Sequence, residues 1–362
     1  MNNKKFIWIL LRGGMDGLSL LPPYGLDEYY SLRPNISIPK NKVLKINDKY
    51  GMYPSLKNGL YELFQNGNLL LYPQSGHRTF TDNHYTAQKQ MERASCLESD
   101  NSGWLNRMVS FVNDANPISF SPDYPMVFRG KNIINNVGIE RYNSKINQSN
   151  QHQIFEILKQ TQLKNVFKKV LEQKKIMETL LADYPEFNNK SYAEKIGIYL
   201  RETDSNLAFL DTGHNWDTHS LFNPGVVHGN ESHNFDKHSI DVSTDGRLFF
   251  LFNMLDETIM SLKKELKDEW NNTLIAINTE FGRSNAENGS QGLDHGYGGL
   301  MMVTGGLIKE SKIIGDIESL KPEDSYQGKY LHVKNDYRGA LSELFEKHLD
   351  LEHSIINKIF NR

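Results

Sequence analysis

FIWILLRGGMDG, residues 6–17, is the stretch whose reading decides the fold. Six apolar residues in a row, Phe6 through Leu11, stand between Lys4-Lys5 and Arg12-Gly13-Gly14. An unbroken apolar run, as opposed to an alternating one, predicts a strand buried on both faces, and such strands belong to sheets covered on both sides. Three further runs share this character. LLLY at 69–72 ends at Pro73, LIAIN at 274–278 leads into Thr279-Glu280-Phe281-Gly282, and LMMVT at 300–304 precedes Gly305-Gly306. We read all four as central strands. Apolar residues at three- and four-residue spacing predict helices over 86–91, 105–112, 154–181, 248–270 and 337–349. Strands alternating with helices indicate a layered α/β sheet.

The chain has 362 residues, enough for one large domain, with 18 Phe, 17 Tyr and 4 Trp to fill a sizeable core. Lys plus Arg number 41 against 44 Asp plus Glu, so there is no global field to attract nucleic acid or an anionic membrane. Cys96 is the single cysteine, which excludes an intrachain disulfide and leaves any metal to His and carboxylate ligands. No apolar run approaches the roughly 18 residues needed for a membrane span, and the first one is shorter than the core of a signal peptide. The sequence carries no export signal, and the cellular compartment stays open.

The segment 144–206 is rich in Lys, Gln and Glu around Ile154, Ile157, Leu158, Val166, Phe167, Val170 and Leu171. It reads as a helical insertion within one domain spanning 1–362. Its place between two candidate site regions predicts a cap beside the site entrance. Its lysines read as a solvated flank.

Four clusters of reactive side chains follow strand ends, where open α/β sheets place ligands. Asp16 sits in the glycine loop after the first strand, as a site carboxylate or a turn cap. Thr79 and Thr81 precede His84 at the start of a helix, where a hydroxyl can be a nucleophile or an N-cap. Asp211-Thr212-Gly213-His214-Asn215-Trp216-Asp217-Thr218-His219 holds two aspartates and two histidines. Asp217 and His219 point the same way from an extended segment, as a divalent-metal pair or a loop network. His228, His233 and His238 read as loop surface. Glu280 with Arg283, and Asp294 with His295, complete the set, Arg283 being able to hold an anion or to pair with Glu280. Convergence of Asp16, Asp217, His219, Glu280 and His295 on one site is the sharpest expectation.

These residues lie in stretches that resemble the DUF1501 family of the alkaline phosphatase-like superfamily, which also holds sulfatases and cofactor-independent phosphoglycerate mutases. The resemblance spans nearly the whole chain. It rests on LLRGGMDGLSLLPPYG with Arg33-Pro34, NHYTAQKQME, GWLNRMV, NWDTH, NTEFGRSNAENGSQGLDHG and NDYRGALSELFEKHL. It implies a three-layer α/β/α sandwich with a mostly parallel central sheet. It also implies one or two divalent ions, zinc, manganese or similar, on Asp16, Asp217, His219, Glu280, Asp294 and His295. Thr79 or Thr81 would mark the nucleophile region, with His84 beside it. The chain departs from the superfamily at Phe281, where an imidazole is usual, and at Asn83, where a Ser is common in DUF1501. Relative to the Thr-Phe-Pro-Asn-His-Tyr run of nucleotide pyrophosphatases, one extra residue separates Phe80 from Asn83. DUF1501 proteins are often exported through the twin-arginine route.

The expectation is a metal-dependent hydrolase or transferase of a small anionic phosphate or sulfate ester. Thr81, Thr79 or a water on the metal would be the nucleophile, and Arg283 or Arg12 the electrostatic support. The rival is a non-catalytic binding or assembly protein on a degenerated scaffold of the same kind. Neither nucleic acid nor a membrane span is expected, and the oligomeric state is left open.

Overall fold

The computed structural model describes the chain apart from residues 2, 98–99, 140–153, 155, 159–160, 162, 213–215, 221–242, 244–245 and 362. Eleven strands are defined among the described residues: β1 (Lys5–Leu11), β2 (Leu44–Lys45), β3 (Gly51–Met52), β4 (Leu69–Gly76), β5 (Pro117–Phe120), β6 (Asn135–Asn136), β7 (Leu207–Asp211), β8 (Thr273–Thr279), β9 (Gly299–Thr304), β10 (Lys312–Ile313) and β11 (Asn335–Asp336). The main sheet runs β10-β4-β9-β8-β1-β7-β5-β6, with β11 also on β4. Strand β9 is antiparallel to both its neighbours, β4 and β8, and the remaining pairs are parallel.

Strand β1 lies at the centre, between β7 and β8, and all seven of its residues are buried. Its pleat separates two cores. Ile7, Ile9 and Leu11 join Ala208, Leu210, Ile275 and Ile277 on one face, against helices Tyr192–Glu202 and Gly246–Leu266. Phe6, Trp8 and Leu10 join Phe209, Leu274 and Ala276 on the other, against helices His84–Arg93, Trp104–Phe111, Tyr337–Leu349 and His353–Phe360. Two apolar faces explain the unbroken apolar run, because a strand with one wet face would alternate. Asn278, a polar side chain buried in β8, is satisfied by Trp8 Nε1 at 2.9 Å. The fold is therefore mixed α/β with a largely parallel central sheet, and the four expected strands are β1, β4, β8 and β9.

Part of the segment 144–206 lies outside the described residues. Its last helix, Tyr192–Glu202, is part of the layer packed on the sheet, with Ile196, Ile198, Tyr199 and Leu200 buried. A Ser191–Glu194 capping box fixes where that helix begins. His228, His233 and His238 fall outside the described residues.

Candidate metal centre and its cleft

The parallel strands end along one edge, and the chain turns there into the candidate site. After β1 the backbone must reverse tightly, and Gly13 and Gly14 take φ values of +115° and +71°. A Cβ at Gly13 would come within 2.5 Å of the Asp217 nitrogen, so only glycine lets these two loops touch. Trp216 N donates to Arg12 O at 3.0 Å, which fixes Asp217 beside the end of β1. His295 arrives by a different route. Because β9 is antiparallel, it starts at the edge where its neighbours end, and residues 294–298 therefore lead into it from the site. Hydrogen bonds Ser284 N to Asp294 O and Gly296 N to Gly282 O tie this approach to the loop after β8.

Three imidazoles meet one carboxylate at this point. Asp217 Oδ1 lies 3.5 Å from His84 Nε2, 3.0 Å from His219 Nε2 and 3.4 Å from His295 Nε2. His219 Nε2 is 3.0 Å from His295 Nε2. In each ring the other nitrogen faces an oxygen: Glu280 Oε1 at 2.8 Å for His84, the Asp82 carbonyl at 2.5 Å for His295, and Asp294 Oδ1 at 3.5 Å for His219. An oxygen on Nδ1 fixes the tautomer that leaves Nε2 with a free lone pair. Buried His84 Nε2 has no hydrogen-bond partner.

The spacing suits a cation. Donors bound at about 2.1 Å in a tetrahedron stand roughly 3.4 Å apart, close to the distances of Asp217 Oδ1 from the three rings. His84, Asp217 and His295 form a group able to hold a metal ion.

Electrostatics point the same way. Burial disfavours a charged His84, but the carboxylates of Asp217 and Glu280 facing its two nitrogens push it up to about 9. Burial likewise opposes ionisation of Asp217, yet His84 and Arg283 hold its carboxyl far below the usual range. Glu280 is also held low, against its burial, by His84 and Gln88. The carboxylates thus favour a positive charge between them: without an ion it is a proton on His84, and a bound cation would take that proton's place on Nε2.

Several expected participants are placed otherwise. Asp16 is buried in a two-pronged ion pair with Arg33, at 2.6 and 3.1 Å, and also caps the helix Gly17–Leu20 through Ser19 N. Its carboxylate is spoken for, and the structure does not bring it into the group. Glu280 is next to the group but turned to its scaffold: Oε1 accepts from Gly13 N, Gln88 Nε2 and His84 Nδ1. It positions a ring. Asp294 does the same for His219. Arg283 is buried and donates to Asp217 Oδ1 at 2.6 Å and to the carbonyls of Gly13, Gly14 and Trp216, so it braces the loops. Arg12 binds Asp211 at 2.6 Å and Glu92 at 2.9 Å. Thr79 is exposed, and Thr81 Oγ1 accepts from Asn83 N at 3.2 Å, while Asn83 itself caps the helix.

Beside the group opens a cavity of about 850 Å³, lined by Arg12, His84 and Asp217 and continuing past Tyr85, Lys89, Arg93 and Arg129. The described residues on its wall come from 12–13, 84–93, 101, 121–129, 211 and 217, with none from 144–206. None of the described residues of that segment forms the expected cap on this wall.

Gln88, Glu92 and the Asp82 carbonyl were not singled out in the sequence. The signal for the first two was the four-residue step from His84 through Gln88 to Glu92, which puts all three on one helix face.

With this geometry in place, comparison with known proteins adds a family. Residues 3–337 match the DUF1501 family, described as a protein of unknown function. The chain belongs to DUF1501. No curated protein matches this family member. Among solved structures it is similar to the lipoteichoic acid synthase LtaP from Listeria monocytogenes, at 10% identity and a TM-score of 0.38, covering 87% of this chain and 67% of that one. No helix among the described residues is long and apolar enough to cross a membrane.

Proposed function

We propose that this DUF1501 protein is a metal-dependent hydrolase or transferase of phosphate or sulfate esters on an alkaline phosphatase-like scaffold. One divalent ion, zinc, manganese or similar, is assigned to Nε2 of His84, His219 and His295 and to Oδ1 of Asp217. The observation that carries the reading is the shared orientation of the three rings: every Nδ1 faces an oxygen and every Nε2 faces Asp217. When bound, a divalent ion supplies Lewis acidity at an ester oxygen and offsets charge gathered in the transition state. The chain's own residues do the rest. Glu280, Asp294 and the Asp82 carbonyl orient the imidazoles, and Arg283 keeps Asp217 in place. Thr81, whose hydroxyl oxygen only accepts in its contact with Asn83 N, keeps a proton to give up as the nucleophile, with Thr79 or water in that role if Thr81 is dispensable.

The competing reading, a binding or assembly protein, draws on the locking of Asp16 by Arg33 and of Glu280 by its four neighbours. Elemental analysis together with turnover of aryl phosphate monoesters, diesters and sulfate esters separates the two. About one divalent ion per chain and ester turnover are expected, and His295→Ala should lower metal affinity by at least the roughly 10–100-fold typical of changes around such ligands. An ion without turnover of any ester would favour the binding protein. Absence of a bound ion, with no turnover on adding zinc or manganese, would defeat the metal centre altogether.

A further inference from the structure

The helix His84–Arg93 carries two stripes. His84, Gln88 and Glu92, four residues apart, face the metal centre and Arg12. Tyr85, Lys89 and Arg93, also four apart, lie one position round the helix and line the cavity. Arg129 joins them from the facing loop. Lys89 Nζ sits 3.6 Å from the centre of the exposed Tyr85 ring.

These cations are left over after the internal pairs are made. Of the acids on the same wall, Asp211 and Glu92 are answered by Arg12, and Asp217 by Arg283. Asp123 alone stands against Lys89, Arg93 and Arg129, none of which has an ion pair among the described residues. Arg93 lines the cavity wall, and its Nε lacks any hydrogen-bond partner. Along the helix, Lys89 lies about 8 Å and Arg93 about 14 Å from His84.

We propose that the ligand of this cleft carries a second anionic group beyond the one at the metal centre, held by Lys89, Arg93 and Arg129. The inference rests on the reading of the centre as one for anionic esters, and it adds that a lone small ester is an incomplete ligand. The cavity has room for such an extended anion at about 850 Å³. Its inner end fixes the reacting group and its outer end selects by charge.

The test compares inorganic tripolyphosphate with inorganic phosphate by titration calorimetry on the full chain as purified and on its His295→Ala variant. Tripolyphosphate should bind at least about tenfold more tightly in both proteins. The Lys89→Gln/Arg129→Gln double variant should bring the ratio near unity, while Lys57→Gln/Lys309→Gln, which also removes two exposed charges but none from the cleft, should preserve it. Equal affinities in the unmodified chain, no tripolyphosphate binding, or a ratio that survives Lys89→Gln/Arg129→Gln would overturn the proposal. A preserved ratio in a chain that binds no ion and turns over no ester would instead overturn the hydrolase reading and leave the anion cleft standing.

Discussion

Asp16 and Asp217 follow neighbouring parallel strands, β1 and β7, and both sit where an open sheet gathers ligands, yet they end in opposite situations. Asp16 is 1% exposed and both its oxygens are taken by Arg33, itself 0% exposed. Asp217 is partly open and faces three imidazole nitrogens across 3.0 to 3.5 Å. The difference teaches that a carboxylate at a strand end can serve as a ligand only where its counter-ion leaves part of it open. Arg33 closes one site from within. Around Asp217 the fold supplies Arg283 on one side and leaves the other to rings whose lone pairs need a cation.

The comparison is most severely tested by breaking the closed pair. Arg33→Met leaves a buried carboxylate uncompensated and should cost about 3–5 kcal/mol of stability, read as a lowered urea midpoint. Asp217→Asn should cost less than half as much, because Arg283 keeps its carbonyl partners at Gly13, Gly14 and Trp216. Metal affinity should show the reverse, collapsing in Asp217→Asn. Equal stability costs in the two variants would erase the distinction between a structural and a ligand carboxylate.

Glu280 is the intermediate case, buried like Asp16 but touching a ligand ring like Asp217. Acting through His84, it should follow the pattern of partners that orient ligands. Glu280→Gln should weaken zinc binding by roughly tenfold, with a stability loss of about 1 kcal/mol. Loss of binding as complete as in Asp217→Asn would make Glu280 a direct ligand and move it to the open side of the comparison.

The sequence exposed the frame of this arrangement better than its wiring. Long apolar runs identified β1, β4, β8 and β9, since a strand covered on both faces has no polar positions to disguise it. Strand β7 escaped because its five residues, LAFLD, sit between polar Asp204-Ser205-Asn206 and the Asp-rich loop. The helix Tyr192–Glu202 was absorbed into a polar segment although its own apolar residues recur on one face. At the site, the two-residue step between Asp217 and His219 was readable because extended backbone repeats every two residues. What could not be read was which acids already had partners. Arg33 reaches Asp16 across 17 residues and Arg283 reaches Asp217 across 66, and neither separation has a local signature. Arg33-Pro34 stands in the family pattern, but nothing in the pattern assigns Arg33 to Asp16.

The smallest expected effect comes from two histidines at the ends of one loop, His77 and His84, which the fold drives in opposite directions. His84 is raised by its carboxylates, whereas His77 is lowered to about 4, first by burial and then by Arg338, with Asp336 and the Thr79 backbone contact opposing. His77 Nδ1 accepts from Thr79 N at 3.1 Å, so the neutral ring holds the start of the loop that delivers Thr81, Asp82 and His84. Because the folded pKa is below the unfolded one, the unfolded state binds the proton more readily, and stability falls as pH drops from about 6.5 toward 4. From about pH 7 to about pH 5.5 the loss should be about 1 kcal/mol, seen as a falling urea midpoint. His77→Asn should abolish that slope, since its amide does not titrate, while leaving the acid limb from other groups. A slope unchanged in His77→Asn would mean that His77 protonates freely in the folded chain, and that the loop is not held by a neutral ring on one side and a charged one on the other.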